Sequence, residues 1–209
     1  MHAGDPQAQS AYTPQQALQV LKDGNARYVA GESVQGDLAA QRAGTTGGQW
    51  PLAVVLSCID SRASAELILD QGIGDIFSVR LAGNVINGDA LGSMEFACKV
   101  AGSKVLVVMG HTACGAVKGA CDKVELGNLT GLLDRIQPAV EATKEPSDPA
   151  ERTSANGDFV FAVTEANVHL TMAELKEKSP VLRDMVDHGE IALVGAMYDI
   201  TSGVVTWYE

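Results

Sequence analysis

The residues of this sequence with the clearest capacity for chemistry are two cysteines and one histidine. Cys58 directly follows an apolar run at 51–57, and His111 and Cys114 follow a second apolar run at 104–109. Such runs, rich in β-branched residues, predict buried strands, and ligands bind beyond the carboxyl ends of parallel strands. Thiolate sulfur and imidazole nitrogen suit zinc. Three protein ligands leave a fourth position for water, whose pKa a catalytic zinc ion lowers to about 7.

An acidic and a basic side chain stand close to the first predicted ligand. Asp60 and Arg62 follow Cys58 within the same short segment. Two roles are open to Asp60: it ligates the metal as a fourth ligand, or it pairs with Arg62 and accepts a hydrogen bond from zinc-bound hydroxide. The alternative is an ordinary surface ion pair worth about 0–1 kcal/mol. The position beside a metal ligand favours a catalytic role.

The elements that must position these residues are strands alternating with helices. This alternation predicts an α/β fold, with a mostly parallel central sheet flanked by helices, in a single domain over 1–209. An N-terminal arm helix at 13–30, begun by Thr13 as N-cap and Pro14 at the first position, precedes an α/β core at 51–209. Strands are predicted at 51–57, 75–79, 104–109, 190–195 and 204–207, helices at 63–70, 89–100, 114–121, 128–144, 158–177 and 179–188, and a loop at 36–50.

Composition excludes several classes of partner. The formal net charge of −11 argues against nucleic acid and anionic lipid surfaces, because no basic run offsets it. No apolar stretch approaches the roughly 20 residues that a membrane-spanning helix needs. The N-terminus carries no visible signal peptide, which favours a cytoplasmic location; a periplasmic one is the alternative if the chain is a mature form whose signal peptide has been removed.

The two remaining cysteines and two of the histidines are predicted to lie outside the metal site. Cys98 and Cys121 are predicted to be small buried hydrophobic residues, since four cysteines in 209 residues are too few for a disulfide scaffold. If the protein is exported, a disulfide between them becomes worth testing. His169 and His188 lack a ligand at metal-binding spacing, so we expect surface or packed side chains, with a proton-relay role left open.

Two segments together resemble the paired signature of the β-class carbonic anhydrases. They are Cys-Ile-Asp-Ser-Arg at 58–62 and His-Thr-Ala-Cys at 111–114, and their separation is also similar to that in the family. Weaker likenesses cover most of the chain: Gly-Asn-Ala-Arg-Tyr at 24–28, Arg-Leu-Ala-Gly-Asn at 80–84, and the region from Tyr198 to Gly203.

The resemblance implies an enzyme and a reaction. One zinc ion per chain would be bound by Cys58, His111 and Cys114, and the reaction would be the reversible hydration of carbon dioxide to bicarbonate and a proton. Zinc-bound hydroxide, oriented by Asp60 and Arg62, would attack the carbon. In some members the residue matching Asp60 becomes a fourth ligand in a closed, inactive state.

The resemblance also carries expectations about the pocket and the assembly. Gly83, Asn84 and Gly115 would border the substrate pocket. Family members are dimers or assemblies of dimers, so a homodimer or homotetramer is expected, with the helix at 13–30 extending onto a partner.

Two positions depart from the family pattern, and three other functions are open to such a sequence. Leu81 replaces a common asparagine, and Val55 stands where an inhibitory bicarbonate pocket of some bacterial members has tryptophan. Relatives that hydrolyse carbonyl sulfide or carbon disulfide share the metal ligands and the Asp–Arg pair, so this activity is the alternative. A non-catalytic zinc- or bicarbonate-binding protein is less favoured because Asp60 and Arg62 are both present. A redox thiol protein is disfavoured because the sequence has no Cys-x-x-Cys.

Overall fold

The computed structural model describes residues 6–34 and 36–208 as an α/β domain. Its strands are β1 (Ala53–Ser57), β2 (Ile76–Arg80), β3 (Val105–His111), β4 (Ala192–Tyr198) and β5 (Val205–Tyr208). Its helices are α1 (Pro6–Ala11), α2 (Pro14–Ala30), α3 (Leu38–Gly44), α4 (Ala65–Ile68), α5 (Gly88–Glu95), α6 (Gly115–Cys121), α7 (Gly127–Leu133), α8 (Gln137–Ala142), α9 (Gly157–Lys178) and α10 (Pro180–Asp187).

The central sheet has the strand order β2-β1-β3-β4-β5. The first four strands are parallel, and β5 pairs antiparallel with β4. In register, Ser57 at the end of β1 lies beside Arg80 on β2 and Met109 on β3, and His111 lies beside Tyr198 on β4. The predicted mostly parallel α/β fold is confirmed, and the segments that follow β1 and β3 emerge at the same edge.

Helices cover both faces of the sheet. On β1, Ala53 and Val55 face a core shared with α2 and α4, whereas Val54 and Leu56 face a core shared with α5, α9 and α10. Every residue of β1 and β3 is buried, which explains the near-continuous apolar runs in the sequence. A third cluster gathers residues of α6, α7, α8 and α9 at the carboxyl edge. Helices therefore cover the edge of the sheet that carries the candidate ligands.

Helix α2 forms where the sequence predicts it. The side chain of Thr13 accepts a hydrogen bond from the Gln16 backbone and the Gln16 side chain accepts one from Thr13, and Gly31 ends the helix in the left-handed region at φ 71°. The helix packs on its own chain: Asn25 Nδ2 donates to the carbonyls of Ile68 (3.1 Å) and Gly203 (2.9 Å). Extension of this helix onto a partner stays a prediction.

Gly24 allows α2 to approach the end of α4 closely, which leads to a stability prediction. A Cβ at this position would lie 1.8 Å from the carbonyl oxygen of Leu69. We expect Gly24→Ala to destabilise the protein by about 1–3 kcal/mol, because the backbone of α4 must move to relieve the overlap. Denaturant unfolding measures this change. Gly92→Ala on α5 is the matched control, because its Cβ meets nothing within 4 Å; equal stability of the two variants would contradict the close approach.

Three local predictions need correction. Helices α1 and α3 were not predicted, and α3 lies within the predicted loop at 36–50. It has no buried residue and therefore no apolar periodicity to read, and the side chain of Asp37 starts it by accepting from Ala39 and Ala40 backbone N–H groups. The predicted helix at 128–144 is two helices, α7 and α8, because Pro138 fits the first turn of a helix but not its interior.

Other helix predictions hold at their bounds to within a few residues. Helix α5 continues into a π-helical turn, Phe96–Val100, within the predicted helix at 89–100. Among the residues that the structure describes, no helix combines the length and apolar character needed to cross a membrane.

Candidate metal centre

The three predicted metal ligands come together at the carboxyl edge of the sheet. Cys58 directly follows β1, His111 ends β3, and Cys114 precedes the first residue of α6. All three side chains are buried, and their donor atoms lie within 4.8 Å of one another. The two Sγ atoms are 3.9 Å apart. Two independent strands thus bring one imidazole and two thiols to a single point.

His111 is held in the tautomer that a metal ligand requires. Its Nδ1 lies 2.9 Å from the carbonyl oxygen of Thr112, and because a carbonyl only accepts, Nδ1 carries the proton. The lone pair is therefore on Nε2. This atom is buried and has no hydrogen-bond partner within residues 6–34 and 36–208. Buried polar atoms are normally satisfied, so an unpartnered imidazole nitrogen facing two thiols fits a bound cation.

The two sulfurs interact strongly when no cation is bound. A hydrogen bond with Cys114 is the main cause that lowers the pKa of Cys58 to about 4. The same hydrogen bond, with burial, raises the pKa of Cys114 far above its usual range. The first thiolate thus opposes formation of the second. A divalent cation would offset that repulsion and permit both thiolates, so this donor set fits zinc.

A tight turn supplies a backbone donor to the first thiolate. The N–H of Gly83 points at Cys58 Sγ with a distance of 3.3 Å. Gly83 has φ 68°, in the left-handed region that favours glycine, and an added Cβ would lie 2.6 Å from Cδ1 of Ile136. The predicted pocket residue Gly83 is therefore beside the metal ligands. Asn84, the next residue, is 1% exposed, and its amide has no hydrogen-bond partner in the described parts of the chain.

Asp60 and Arg62 form the pair that the sequence predicts. Nε and Nη2 of Arg62 donate to the two carboxylate oxygens of Asp60 at 3.0 and 2.8 Å. These hydrogen bonds hold the pKa of Asp60 well below its usual range, so the group is an ionised acceptor. Its Oδ2 lies 3.9 Å from Nε2 of His111. The carboxylate thus borders the candidate metal position while paired with arginine; its role as a fourth ligand stays a prediction.

Arg80 fixes the backbone that carries Cys58 and Asp60. From the end of β2 its Nε donates to the carbonyl of Cys58 at 3.0 Å, and its Nη2 donates to the carbonyl of Asp60 at 2.6 Å. In the sequence, this residue stands out only through the family likeness at 80–84. The parallel register, which places Arg80 beside Ser57, brings its side chain to the segment that follows β1.

The two bonds from Arg80 predict an effect on metal affinity. We expect Arg80→Met to weaken metal binding by about 10–100-fold, because loss of groups that orient ligands costs that much in other sites. Competition against a chromogenic chelator measures it. Arg152→Met is the matched control, since Arg152 also donates to backbone carbonyls, those of Val140, Thr143 and Pro146. Equal losses in both variants would reduce the role of Arg80 to general stability.

A small cavity opens beside the candidate ligands. Its volume is about 260 Å³, and its walls are largely apolar. The lining residues are Cys58, Ile59, Asp60, Ala82, Gly115, Ala116, Gly119, Leu129 and Leu133. Of the three residues predicted to border a substrate pocket, Gly115 lies in this wall, whereas Gly83 and Asn84 are not among the lining residues. A role of all three in substrate binding stays a prediction. Sequence reasoning missed Leu129 and Leu133 of α7, because their apolar pattern is equally typical of a core helix.

The other cysteines and histidines lie elsewhere. Cys98 and Cys121 are free and buried, as predicted, and belong to different core clusters, so the structure does not bring them together. His169 on α9 packs against Tyr208 in a tilted geometry, with ring centroids 5.0 Å apart. His188 caps the end of α10, where its Nδ1 lies 2.7 Å from the carbonyl oxygen of Asp184. Neither histidine lines the cavity beside the ligands.

Comparison with known proteins agrees with this geometry. Residues 53–205 match the family model described as carbonic anhydrase. The chain is 37% identical over 196 residues to carbonic anhydrase 2 of Mycobacterium tuberculosis, covering 91% of this chain and 90% of that one. It is 35% identical over 198 residues to the carbonic anhydrase of Mycolicibacterium smegmatis, covering 92% of each.

Solved structures show the same fold. The β-carbonic anhydrase CafA of Aspergillus fumigatus superposes with a TM-score of 0.71 at 27% identity, covering 93% of this chain and 90% of that one. The β-carbonic anhydrase CcaA gives a TM-score of 0.72 at 24% identity, covering 92% and 95%. Taken with the Cys–His–Cys cluster and the family match, these findings show that the chain belongs to the β-class carbonic anhydrases.

Proposed function

We propose that this chain catalyses the reversible hydration of carbon dioxide to bicarbonate and a proton, with one zinc ion per chain bound by Cys58, His111 and Cys114. The observation that carries the proposal is the meeting of three features at one edge of the sheet. A buried set of two sulfurs and one imidazole nitrogen adjoins an ionised carboxylate, and both border a small apolar cavity.

The donor set accounts for the choice of metal and for its role. Thiolate and imidazole together favour zinc over calcium or magnesium, which take oxygen ligands. Three protein ligands are typical of catalytic zinc sites. When bound, zinc supplies a Lewis acid that lowers the pKa of a coordinated water to about 7. The protein supplies the position of the donors, the orientation of the nucleophile and an apolar pocket.

Asp60 orients the attacking oxygen. Its carboxylate is ionised, so it accepts hydrogen bonds and donates none. An oxygen nucleophile that donates a hydrogen bond to Oδ2 of Asp60 turns a lone pair away from the carboxylate, towards the cavity. Arg62 holds the carboxylate in this position through two hydrogen bonds. Fixing a reacting group in this way lowers the entropic part of the barrier.

The cavity fits the substrate. Carbon dioxide is small, linear and without a net dipole, so an apolar wall binds it without requiring polar partners. Ala116, Leu129 and Leu133 provide such a wall next to Cys58 and Asp60. The product carries a negative charge, which an apolar wall disfavours. The guanidinium of Arg62, more than half exposed, provides a cation near the site for bicarbonate as it leaves or enters.

A comparison of substrates tests the proposal. Carbonyl sulfide and carbon disulfide are also small, linear and weakly polar, and the same apolar wall accommodates them. We expect stopped-flow assays on one zinc-loaded preparation to show carbon dioxide hydration far faster than hydrolysis of either sulfur compound. Faster hydrolysis of a sulfur compound would move the assignment to that alternative. Zinc binding without turnover of any of the three would favour a binding role.

We further propose that the protein is a homodimer or homotetramer. One relative with the same fold, from Sordaria macrospora, is described as tetrameric; it superposes with a TM-score of 0.67 at 24% identity, covering 81% of this chain and 90% of that one. Multi-angle light scattering would establish the mass in solution. A monomer at micromolar concentration would contradict the proposal.

A further inference from the structure

A buried side chain on α9 reaches the turn that touches the first thiolate. Asn167 is 3% exposed, and its Nδ2 donates to the carbonyl oxygen of Gly83 at 2.8 Å. The N–H of the same glycine donates to Cys58 Sγ. The two residues are 84 positions apart in the sequence. Two hydrogen bonds that share Gly83 thus link α9 to the candidate metal ligand Cys58.

Because the residue between these two hydrogen bonds is a glycine, a hydrogen bond from outside the turn has a large effect on its orientation. Gly83 has φ 68° and no side chain, so the two peptide groups that flank it rotate more freely than those of other residues. Backbone hydrogen bonds hold the two ends of the turn: Leu81 N–H donates to Ser57 at the end of β1, and Asn84 N–H donates to Leu81. The bond from Asn167 fixes the carbonyl of Gly83 from outside the turn. Its loss would leave the direction of the Gly83 N–H less well defined.

The N–H to sulfur bond has consequences for a bound metal. Hydrogen bonds to a ligand from outside the coordination sphere orient it and tune the electron density that it gives to the metal. A donor aimed at a thiolate stabilises the sulfur lone pairs and weakens the charge that the sulfur transfers to the metal. The orientation of Gly83 therefore affects both the placement and the electronic character of Cys58.

We propose that Asn167 is a positioning residue of the metal centre: by holding the Gly83 carbonyl, it keeps the Gly83 N–H on the sulfur of Cys58. It acts through Gly83, without ligating the metal or lining the cavity. The inference rests on the proposed metal site and is independent of which gas the enzyme hydrates. If the hydrogen bond from Asn167 served only the stability of the fold, its loss would leave the properties of the bound metal unchanged.

The test compares Asn167→Leu with a matched control, Asn25→Leu. Both residues are buried asparagines whose Nδ2 atoms donate to backbone carbonyls, but Asn25 ties α2 to Ile68 and Gly203, away from the metal ligands. Leucine has nearly the shape of asparagine and no hydrogen-bonding group. Asn167→Ala is a second variant that leaves room for solvent, in case leucine prevents folding, and Asn167→Gln retains the donor.

Two measurements report on the metal directly. Chelator competition gives zinc affinity, and the near-ultraviolet spectrum of the cobalt-substituted protein gives the energy of thiolate-to-metal charge transfer. We expect Asn167→Leu and Asn167→Ala to bind zinc about 10–100-fold more weakly. Their charge-transfer band should move to longer wavelength, because the sulfur lone pairs rise in energy when a donor is lost. Asn167→Gln should lie closer to the unmodified protein, and Asn25→Leu should match it in both measurements.

The outcomes separate this inference from the proposed function. Unchanged zinc affinity and an unchanged cobalt spectrum in Asn167→Leu and Asn167→Ala would overturn it, as would equal changes in Asn25→Leu. If the unmodified protein binds zinc and cobalt but hydrates no carbon dioxide, the proposed function fails, while the affinity and spectral comparison still decides the role of Asn167.

Discussion

Replacing His111 with alanine, or Cys58 with serine, is expected to remove tightly bound zinc and abolish carbon dioxide hydration. Each change leaves two of the three donors that lie within 4.8 Å of one another. Two donors hold a divalent cation poorly, and a serine hydroxyl is not deprotonated as a cysteine thiol is. We therefore expect zinc to fall from about one ion per chain, as three-ligand catalytic sites hold, to near zero after dialysis against a chelator.

The controls for this experiment come from the same chain. Cys98 and Cys121 are buried free cysteines outside the cluster, so Cys98→Ser and Cys121→Ser test the effect of placing a hydroxyl at a buried position. Both should retain zinc. Elemental analysis and circular dichroism on each variant measure metal content and folding. Full zinc content in His111→Ala or Cys58→Ser would show that the metal, if present, is bound elsewhere.

Replacing Asp60 with asparagine is expected to preserve zinc and remove most turnover. Asparagine has the same shape but no charge, and its Nδ2 donates where the carboxylate accepts. Of the two hydrogen bonds from Arg62 to the carboxylate, one would be disrupted, and the acceptor for the nucleophile's hydrogen bond would be lost. We expect kcat/KM for carbon dioxide to fall by about 100-fold or more, the loss typical when one preorganised hydrogen-bonding group is removed from an active site.

Metal content and stopped-flow rates on the same sample measure that effect. Asp122→Asn is a suitable control, because Asp122 is also a carboxylate that accepts a backbone hydrogen bond, from Ser154, but it is not in the wall of the cavity. Its turnover should equal that of the unmodified protein. Unchanged turnover in Asp60→Asn would mean that the carboxylate does not orient the nucleophile, whatever its distance from His111.

The ligand cluster was predictable from the sequence because strand ends determine its geometry. Val54 and Leu56 lie on one face of β1 and Val55 on the other, and burial of both faces produces the uninterrupted apolar run that predicts a parallel strand. Residues that follow such strands must share one edge. The shared edge of Cys58 and His111 therefore follows from local patterns, whereas the adjacency of β1 and β3, which brings the two side chains together, is seen only in the sheet order.

The residues that support the ligands were not predictable in this way. Asn167 donates to a residue 84 positions away, and Arg80 acts on backbone carbonyls, which carry no sequence signal. Leu133 belongs equally to a core cluster and to the cavity wall, so its pattern does not distinguish the two. Such roles depend on how α7 and α9 pack over the sheet edge, and packing emerges only in the folded chain.

The most direct test of the central claim is reconstitution of the metal-free protein with zinc, followed by stopped-flow measurement of carbon dioxide hydration. The prediction is negligible activity without metal and a linear rise that ends at about one zinc ion per chain, the stoichiometry of a three-ligand catalytic site. Activity in the metal-free protein, or complete zinc binding without hydration, would contradict the assignment of Cys58, His111 and Cys114 as the catalytic zinc ligands.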